Sequence, residues 1–281
     1  MQSISDNINA VIESFHSGKD LALENHDSDS LIKELIEVKS NFPSVVFEGA
    51  ASGIANKIFS EGQDLQLWLD FANKIDKAHQ AQAFVGLGWT LAENAILPNS
   101  IFEKIQPIRY GRILDGYGYY HGLLRRRIFV KGAKQPEHIS ELELQAFDQG
   151  IGRGIWYTSK GDLNLLEQML SAFDEKRIPA LWRGIGVASF YVGGLDERLS
   201  KTLLELSEEY KASFLTGAAL AAMGKSLNEN ISSADKITFE AIEMNTEKLA
   251  ELALEAEKKF ASSCSKDAYF EWLDELETNF N

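Results

Sequence analysis

Phe147-Asp148-Gln149-Gly150-Ile151-Gly152-Arg153-Gly154-Ile155-Trp156-Tyr157 is the stretch whose reading decides the fold. Taken alone, it looks like a glycine-rich phosphate loop. A dinucleotide fingerprint, however, follows a β-strand and opens a helix. Here the preceding residues 139–146 read as helix, and no Gly-Lys-Ser/Thr ending is present. The stretch is also one of six. A Gly-x-Gly or Gly-x-Ala pair recurs at Gly49/Ala51, Gly86/Gly88, Gly116/Gly118, Gly150/Gly152, Gly184/Gly186 and Gly217/Ala219. Successive pairs lie 30 to 37 residues apart.

A period of that length, with a glycine-bearing helix and a second amphipathic helix in each unit, marks a helical repeat array. Segments such as Leu163-Asn164-Leu165-Leu166-Glu167-Gln168-Met169-Leu170 supply the second helix. Strand signals are nearly absent, and Ile128-Phe129-Val130 is the one weak exception. The expected fold is all-α: a two-layer, solenoid-like array of about six helix pairs. Residues 1–42 read as two short N-terminal helices, the second capped within Ser28-Asp29-Ser30, and residues 43–228 as the repeat domain. Residues 229–281 read as C-terminal capping helices, with one long polar-faced helix over residues 240–259.

Glycine inside a helix costs roughly 1 kcal/mol relative to alanine, so its repetition needs a compensating gain. Residues i and i+2 point about 200° apart around a helix. One glycine of each pair therefore faces the preceding repeat and the other faces the following one, which lets neighbouring helices approach closely. The two remaining sides then differ. One is mostly apolar and suits the second layer; it holds Phe47, Phe84, Leu114, Asp148, Trp182 and Leu215. The other mixes charges with aromatics: Glu48, Asp115, Gln149 and Arg183 before the glycines, Trp89, Tyr119 and Arg153 after them, with Arg112 one turn before Asp115. In a solenoid that side lines the inner surface, where partners bind. Helix spacing lets Asp115 reach Arg153 on the next repeat but not Arg183 two repeats on. A ligand groove and a ladder of ion pairs between repeats fit these residues equally well.

Composition excludes several function classes. The chain has 281 residues and a formal net charge of −14, which repels nucleic acid and anionic membranes. The start, Met1-Gln2-Ser3-Ile4-Ser5-Asp6, shows no signal-peptide pattern, and no apolar run is long enough for membrane insertion, so a cytoplasmic protein is expected. The single cysteine, Cys264, excludes an internal disulfide and a cysteine-based zinc site. His16, His26, His79 and His138 are scattered, without a metal-binding spacing. No metal and no cofactor are expected. His121 leans toward the apolar side of its helix, and Arg125-Arg126-Arg127 form a basic cluster suited to a helix C-terminus.

Four motifs, in order, are Phe84-Val85-Gly86-Leu87-Gly88-Trp89-Thr90-Leu91-Ala92, Leu114-Asp115-Gly116-Tyr117-Gly118, Phe147-Asp148-Gln149-Gly150-Ile151-Gly152-Arg153 with Trp156, and Leu181-Trp182-Arg183-Gly184-Ile185-Gly186. Together they resemble a bacterial domain-of-unknown-function family associated with enediyne biosynthesis gene clusters, where a polyketide synthase makes a polyene that accessory proteins help convert. The resemblance covers about residues 45–225. It implies a biosynthetic setting and carries over no catalytic residues. Where the family pattern has an aromatic–His pair, this chain has Tyr119-Tyr120, with His121 one place later.

The expected role is an accessory protein that binds a hydrophobic small-molecule intermediate, or a biosynthetic partner protein, along the inner groove. That groove is lined by Glu48, Trp89, Arg112, Asp115, Tyr119, Gln149, Arg153 and Arg183. One alternative is a cofactor-independent enzyme acting on a polyene or polyyne chain, with Asp115, Tyr119 and Arg153 as catalytic candidates. The other is a protein-binding scaffold.

Overall fold

Pro43 and Pro107 each occupy the first position of a long helix, where the missing N–H has no intrahelical partner to lose. Side-chain caps start others: Asp76 accepts from Ala78 N, Ser140 forms a capping box with Glu143, and Asp162 and Asp196 accept from Leu165 N and Leu199 N. The computed structural model describes residues 3–24 and 27–281, so Met1, Gln2 and His26 lie outside the described residues. In order the helices are α1 (Ile4–Glu24), α2 (Ser28–Glu37), α3 (Pro43–Glu61), α4 (Gln66–Lys74), α5 (Lys77–Glu93), α6 (Pro107–Leu124), α7 (Arg126–Phe129), α8 (Glu141–Ser159), α9 (Leu163–Leu170), α10 (Ile178–Val192), α11 (Glu197–Leu206), α12 (Lys211–Leu227), α13 (Ser233–Glu240), α14 (Thr246–Phe260) and α15 (Ala268–Glu277). A 3₁₀ helix, Pro98–Lys104, stands where the second helix of the α5 repeat would be. No strand occurs among the described residues.

The long helices α1, α3, α5, α6, α8, α10, α12 and α14 stack in chain order, each on the next. The shorter helices form the second layer. Trp68 and Phe71 of α4 and Leu166 of α9 are fully buried against the long helices, and Trp68 Nε1 donates to the Ala51 carbonyl at 2.9 Å. Each aliphatic or Phe side chain buried this way contributes roughly 1.5–3 kcal/mol.

The glycines set the stacking. A Cβ on Gly86 would lie 2.2 Å from the Glu48 carbonyl oxygen on α3, and one on Gly88 would lie 2.0 Å from Ile113 O on α6. The same register recurs one repeat later: Gly116 faces Val85 O, and Gly118 faces Phe147 O, each at 2.0 Å. Gly150 and Gly152 then face Asp115 O at 2.0 Å and Leu181 O at 2.1 Å. First glycines touch the preceding helix and second glycines the following one. Backbone thus meets backbone along the array, a geometry that suits Cα–H···O contacts.

The array curls on itself. α1 runs from α3 across to the end of α10, where Asn7 Nδ2 donates to Val192 O at 2.9 Å. It is longer than the short helix expected, because Gly18 and Gly49 extend the glycine stacking to it: a Cβ on Gly18 would meet Val46 O at 1.8 Å. The α2 cap is Asp27, whose carboxylate accepts from Ser30 N, so Ser28 opens the helix instead of capping it. Residues 128–130 are the end of α7 and a turn, not a strand. The long helix expected over residues 240–259 is broken, since α13 ends at Glu240 and Asn245 caps α14. α14 stacks on α12, and α15 folds back onto α6. One hydrophobic core runs from Ile8 to Leu276.

Candidate functional site

The carbonyls of Glu48, Asp115 and Gln149 lie against the glycines of the following repeat, which turns their side chains to the inside of the curl. That inside is not an open groove. α1 covers one part and α15 the other, and the eight residues expected to line a groove fall into two sets.

Under α15 lie Arg112, Gln149 and Arg183. Gln149 Nε2 donates to the Tyr269 hydroxyl at 3.2 Å, and its carbonyl oxygen accepts from Arg183 Nε at 2.8 Å. Arg183 also approaches Glu277 at 3.7 Å. The Arg112 guanidinium stacks on Trp272, 4.8 Å from the ring centroid. Gly111 makes room for this, since a Cβ there would sit 2.0 Å from the Tyr269 ring.

Of the other set, Glu48, Trp89, Tyr119 and Arg153 line a central chamber, and Asp115 stands behind it, paired with Arg153. Arg153 Nη1 pairs with Asp115 Oδ2 at 2.9 Å, both residues being buried, and its guanidinium lies 4.5 Å from the Tyr119 ring centroid. Tyr119 packs edge-on against Trp89 at 5.3 Å and beside Tyr157 at the same separation, and Phe15 of α1 meets Trp89 at 5.5 Å. The result is an aromatic-walled chamber of about 330 Å³. Such a size falls at the lower end of small-molecule sites, roughly 300–1,000 Å³. Its mouth includes the exposed Ile12 and Leu124. Gln82, Arg153, Tyr157 and Tyr191 are shared with an adjoining recess of about 50 Å³, which Arg112, Asp115 and Gln149 also line.

Electrostatics divide these groups. Burial pushes Glu48 up to about 7, against the pull of Arg153 and with some help from Asp115, so much of it is a neutral acid at neutral pH. Gln82 Nε2 donates to its Oε2 at 3.0 Å. Desolvation alone would weaken the Arg153 charge, but Asp115 and Glu48 outweigh it and hold the guanidinium ionised. Tyr119 is raised well above the usual phenol range by burial, and Tyr157 is pushed up to about 12 for the same reason, so both are neutral donors.

Sequence reasoning missed Gln82, Tyr157, Tyr191 and the contribution of α1. Tyr157 and Tyr191 stand four residues after Arg153 and Val187, so extending the inner-face register by one turn finds them. Nothing in the repeat pattern marks Phe15 or Tyr269, because α1 and α15 lie at its two ends. Asp148, grouped with the outward side, is there as expected, but it is tied by two hydrogen bonds to Arg177 at 2.8 and 2.5 Å. His121 is buried between Tyr117 and Phe129, and desolvation lowers it to about 4, which leaves a neutral ring packed as core. No cluster of potential metal ligands occurs among the described residues. No helix among them is long and apolar enough to cross a membrane.

A family model described as a protein of unknown function (DUF1702) matches residues 1–280, and the chain belongs to that family. No curated protein matches it, and no solved structure does.

Proposed function

We propose that this chain is an accessory protein of enediyne-like or polyene-derived natural-product biosynthesis that holds a hydrophobic intermediate in its central chamber. The observation that carries the ligand class is the chamber itself: walled by Phe15, Trp89, Tyr119 and Tyr157, and open to solvent beside Ile12 and Leu124. Aromatic walls around a few convergent polar groups suit an elongated apolar molecule with one polar end. A protein partner would need a broad exposed surface, and Glu48, Asp115 and Arg153 are all buried. The biosynthetic setting rests on the resemblance of the four glycine motifs.

The test is to purify the protein from its native host and extract it for mass spectrometry, alongside an I12W/L124W variant whose mouth is narrowed. Both positions are exposed, so the variant is expected to fold. The native chain should carry an apolar, conjugated compound and the variant should not. A native chain that carries none, and takes up no conjugated probe, would sink the reading.

A second reading, a cofactor-independent enzyme working on a polyene or polyyne chain, is favoured by one feature: Glu48 is a buried carboxyl lining the chamber, and its burial pushes it up to about 7. Among the earlier candidates, Asp115 is engaged by Arg153 and the Tyr119 phenol is held neutral, which makes Glu48 the better proton-handling group. A host carrying E48Q that makes the wild-type metabolite profile, with folded protein present, removes the enzymatic reading.

A further inference from the structure

Among the described residues four arginines are buried, and three of them face a carboxylate: Arg153 meets Asp115 at 2.9 Å, Arg177 meets Asp148 at 2.5 Å, and Arg183 meets Glu277 at 3.7 Å. Arg112 is the fourth. It is 7% exposed, and among the described residues no carboxylate lies within ion-pair distance of it. Its Nη2 is buried with no hydrogen-bond partner. An unmatched buried cation is costly, and the stack on Trp272 offsets only part of that cost.

The position of Arg112 bears on this cost. It lines the recess adjoining the chamber, and so does Asp115, 2% exposed, whose Oδ1 is likewise buried without a partner. Asp115 Oδ2 is taken by Arg153, so two arginines and one carboxylate line the recess, which carries a surplus positive charge. Glu48, the remaining carboxyl nearby, lines the chamber and not the recess.

We propose that the recess is a carboxylate subsite: Arg112 receives the carboxylate of an apolar-chain acid whose tail fills the aromatic chamber. This rests on the reading of the chamber as a site for an apolar ligand. Charge-assisted hydrogen bonds from a guanidinium to a carboxylate are the strongest pairing open to Arg112. A volume of about 50 Å³ holds a carboxylate and an ordered water, given about 10–15 Å³ for each water-sized site. The tail passes between Gln82, Arg153, Tyr157 and Tyr191, which line both spaces.

The test uses parinaric acid, a conjugated straight-chain acid whose fluorescence rises in apolar sites, against its methyl ester and the corresponding alcohol. At neutral pH the acid should bind about tenfold or more tightly than either neutral analogue, as expected for one desolvated charge-assisted pair. R112Q should bring the acid down to the affinity of the ester. The same variant should melt at a higher temperature than the wild type in the absence of ligand, because it removes an unmatched buried charge. Equal binding of acid and ester by the wild type would overturn the carboxylate subsite while leaving the chamber as an apolar site. So would tighter binding of the alcohol, or a preference for the acid that survives R112Q. Binding of none of the three overturns the chamber as well. The wild-type comparison decides the matter even if R112Q fails to fold.

Discussion

Replacing Glu48 by Gln isolates the one carboxyl of the chamber with no cation at ion-pair distance among the described residues. Burial raises its pKa from 4.5 to about 7. One pKa unit corresponds to 1.36 kcal/mol, so at full ionisation the fold bears about 3 kcal/mol for keeping this group inside. The sign follows from proton counting. Below pH 4.5 both folded and unfolded chains hold the proton and nothing is lost. Between 4.5 and 7 the unfolded chain releases its proton first, so stability falls as the pH rises. Above 7 both are ionised and the loss stays constant. Gln at this position keeps an acceptor for the Gln82 amide and has no proton to lose. The stability of E48Q relative to wild type should therefore grow by about 2–3 kcal/mol between pH 5 and pH 8. Urea unfolding at a series of pH values measures it, and titrating groups that do not interact with Glu48 cancel in the difference. For a chain of 281 residues, at about 2.1 cal/mol/K of unfolding entropy per residue, that corresponds to roughly 3–5 °C in melting temperature. A flat difference would refute the burial argument. A difference that shrinks with rising pH would mean that ionised Glu48 is held by Arg153.

Other perturbations test the frame around the chamber. Gly118→Ala puts a Cβ 2.0 Å from Phe147 O and should cost at least about 3 kcal/mol in chemical denaturation. Gly224→Ala meets only the Tyr191 ring, at 3.4 Å, and should be neutral or gain up to about 1 kcal/mol. Asp148→Asn leaves Arg177 buried without its partner and should cost about 3–5 kcal/mol, whereas the double change D148L/R177M should recover most of that by the same assay. Trp272→Ala should cost about 3–5 kcal/mol and open the recess from the α15 side, read as increased binding of a hydrophobic dye by the folded protein.

The repeat could be read from the sequence because its cause is local. A helix cannot carry glycines two apart, at a steady 30 to 37 residues, without a neighbour on each flank, and Gly116 and Gly118 meet Val85 and Phe147 as that argument requires. The reach of Asp115 to Arg153, and not to Arg183, follows from the same spacing. What the pattern could not supply was closure. Whether an array stays open or curls depends on small rotations summed over several repeats, and no single residue encodes them. Nor does α15 carry a glycine pair, so the burial of Arg112, Gln149 and Arg183 beneath Tyr269 and Trp272 has no periodic signal. The missed residues of α1 have the same origin, since its Gly18 stands outside the paired motif although it packs in the same way.

Frame and chamber are set by one register. The residue before each first glycine presents its carbonyl to the next helix and its side chain to the inside, as Glu48, Asp115 and Gln149 do in turn. Because backbone meets backbone there, the inner faces of successive helices lie close enough for Arg153 to pair directly with Asp115 and to stack on Tyr119. With larger residues at the glycines the helices would stand further apart, and the same side chains would reach each other only through water. Each of those glycines therefore acts on the site as well as on stability. A substitution mild enough to leave the array folded should first loosen the Asp115–Arg153 pair, and so change what the chamber holds before it changes the fold.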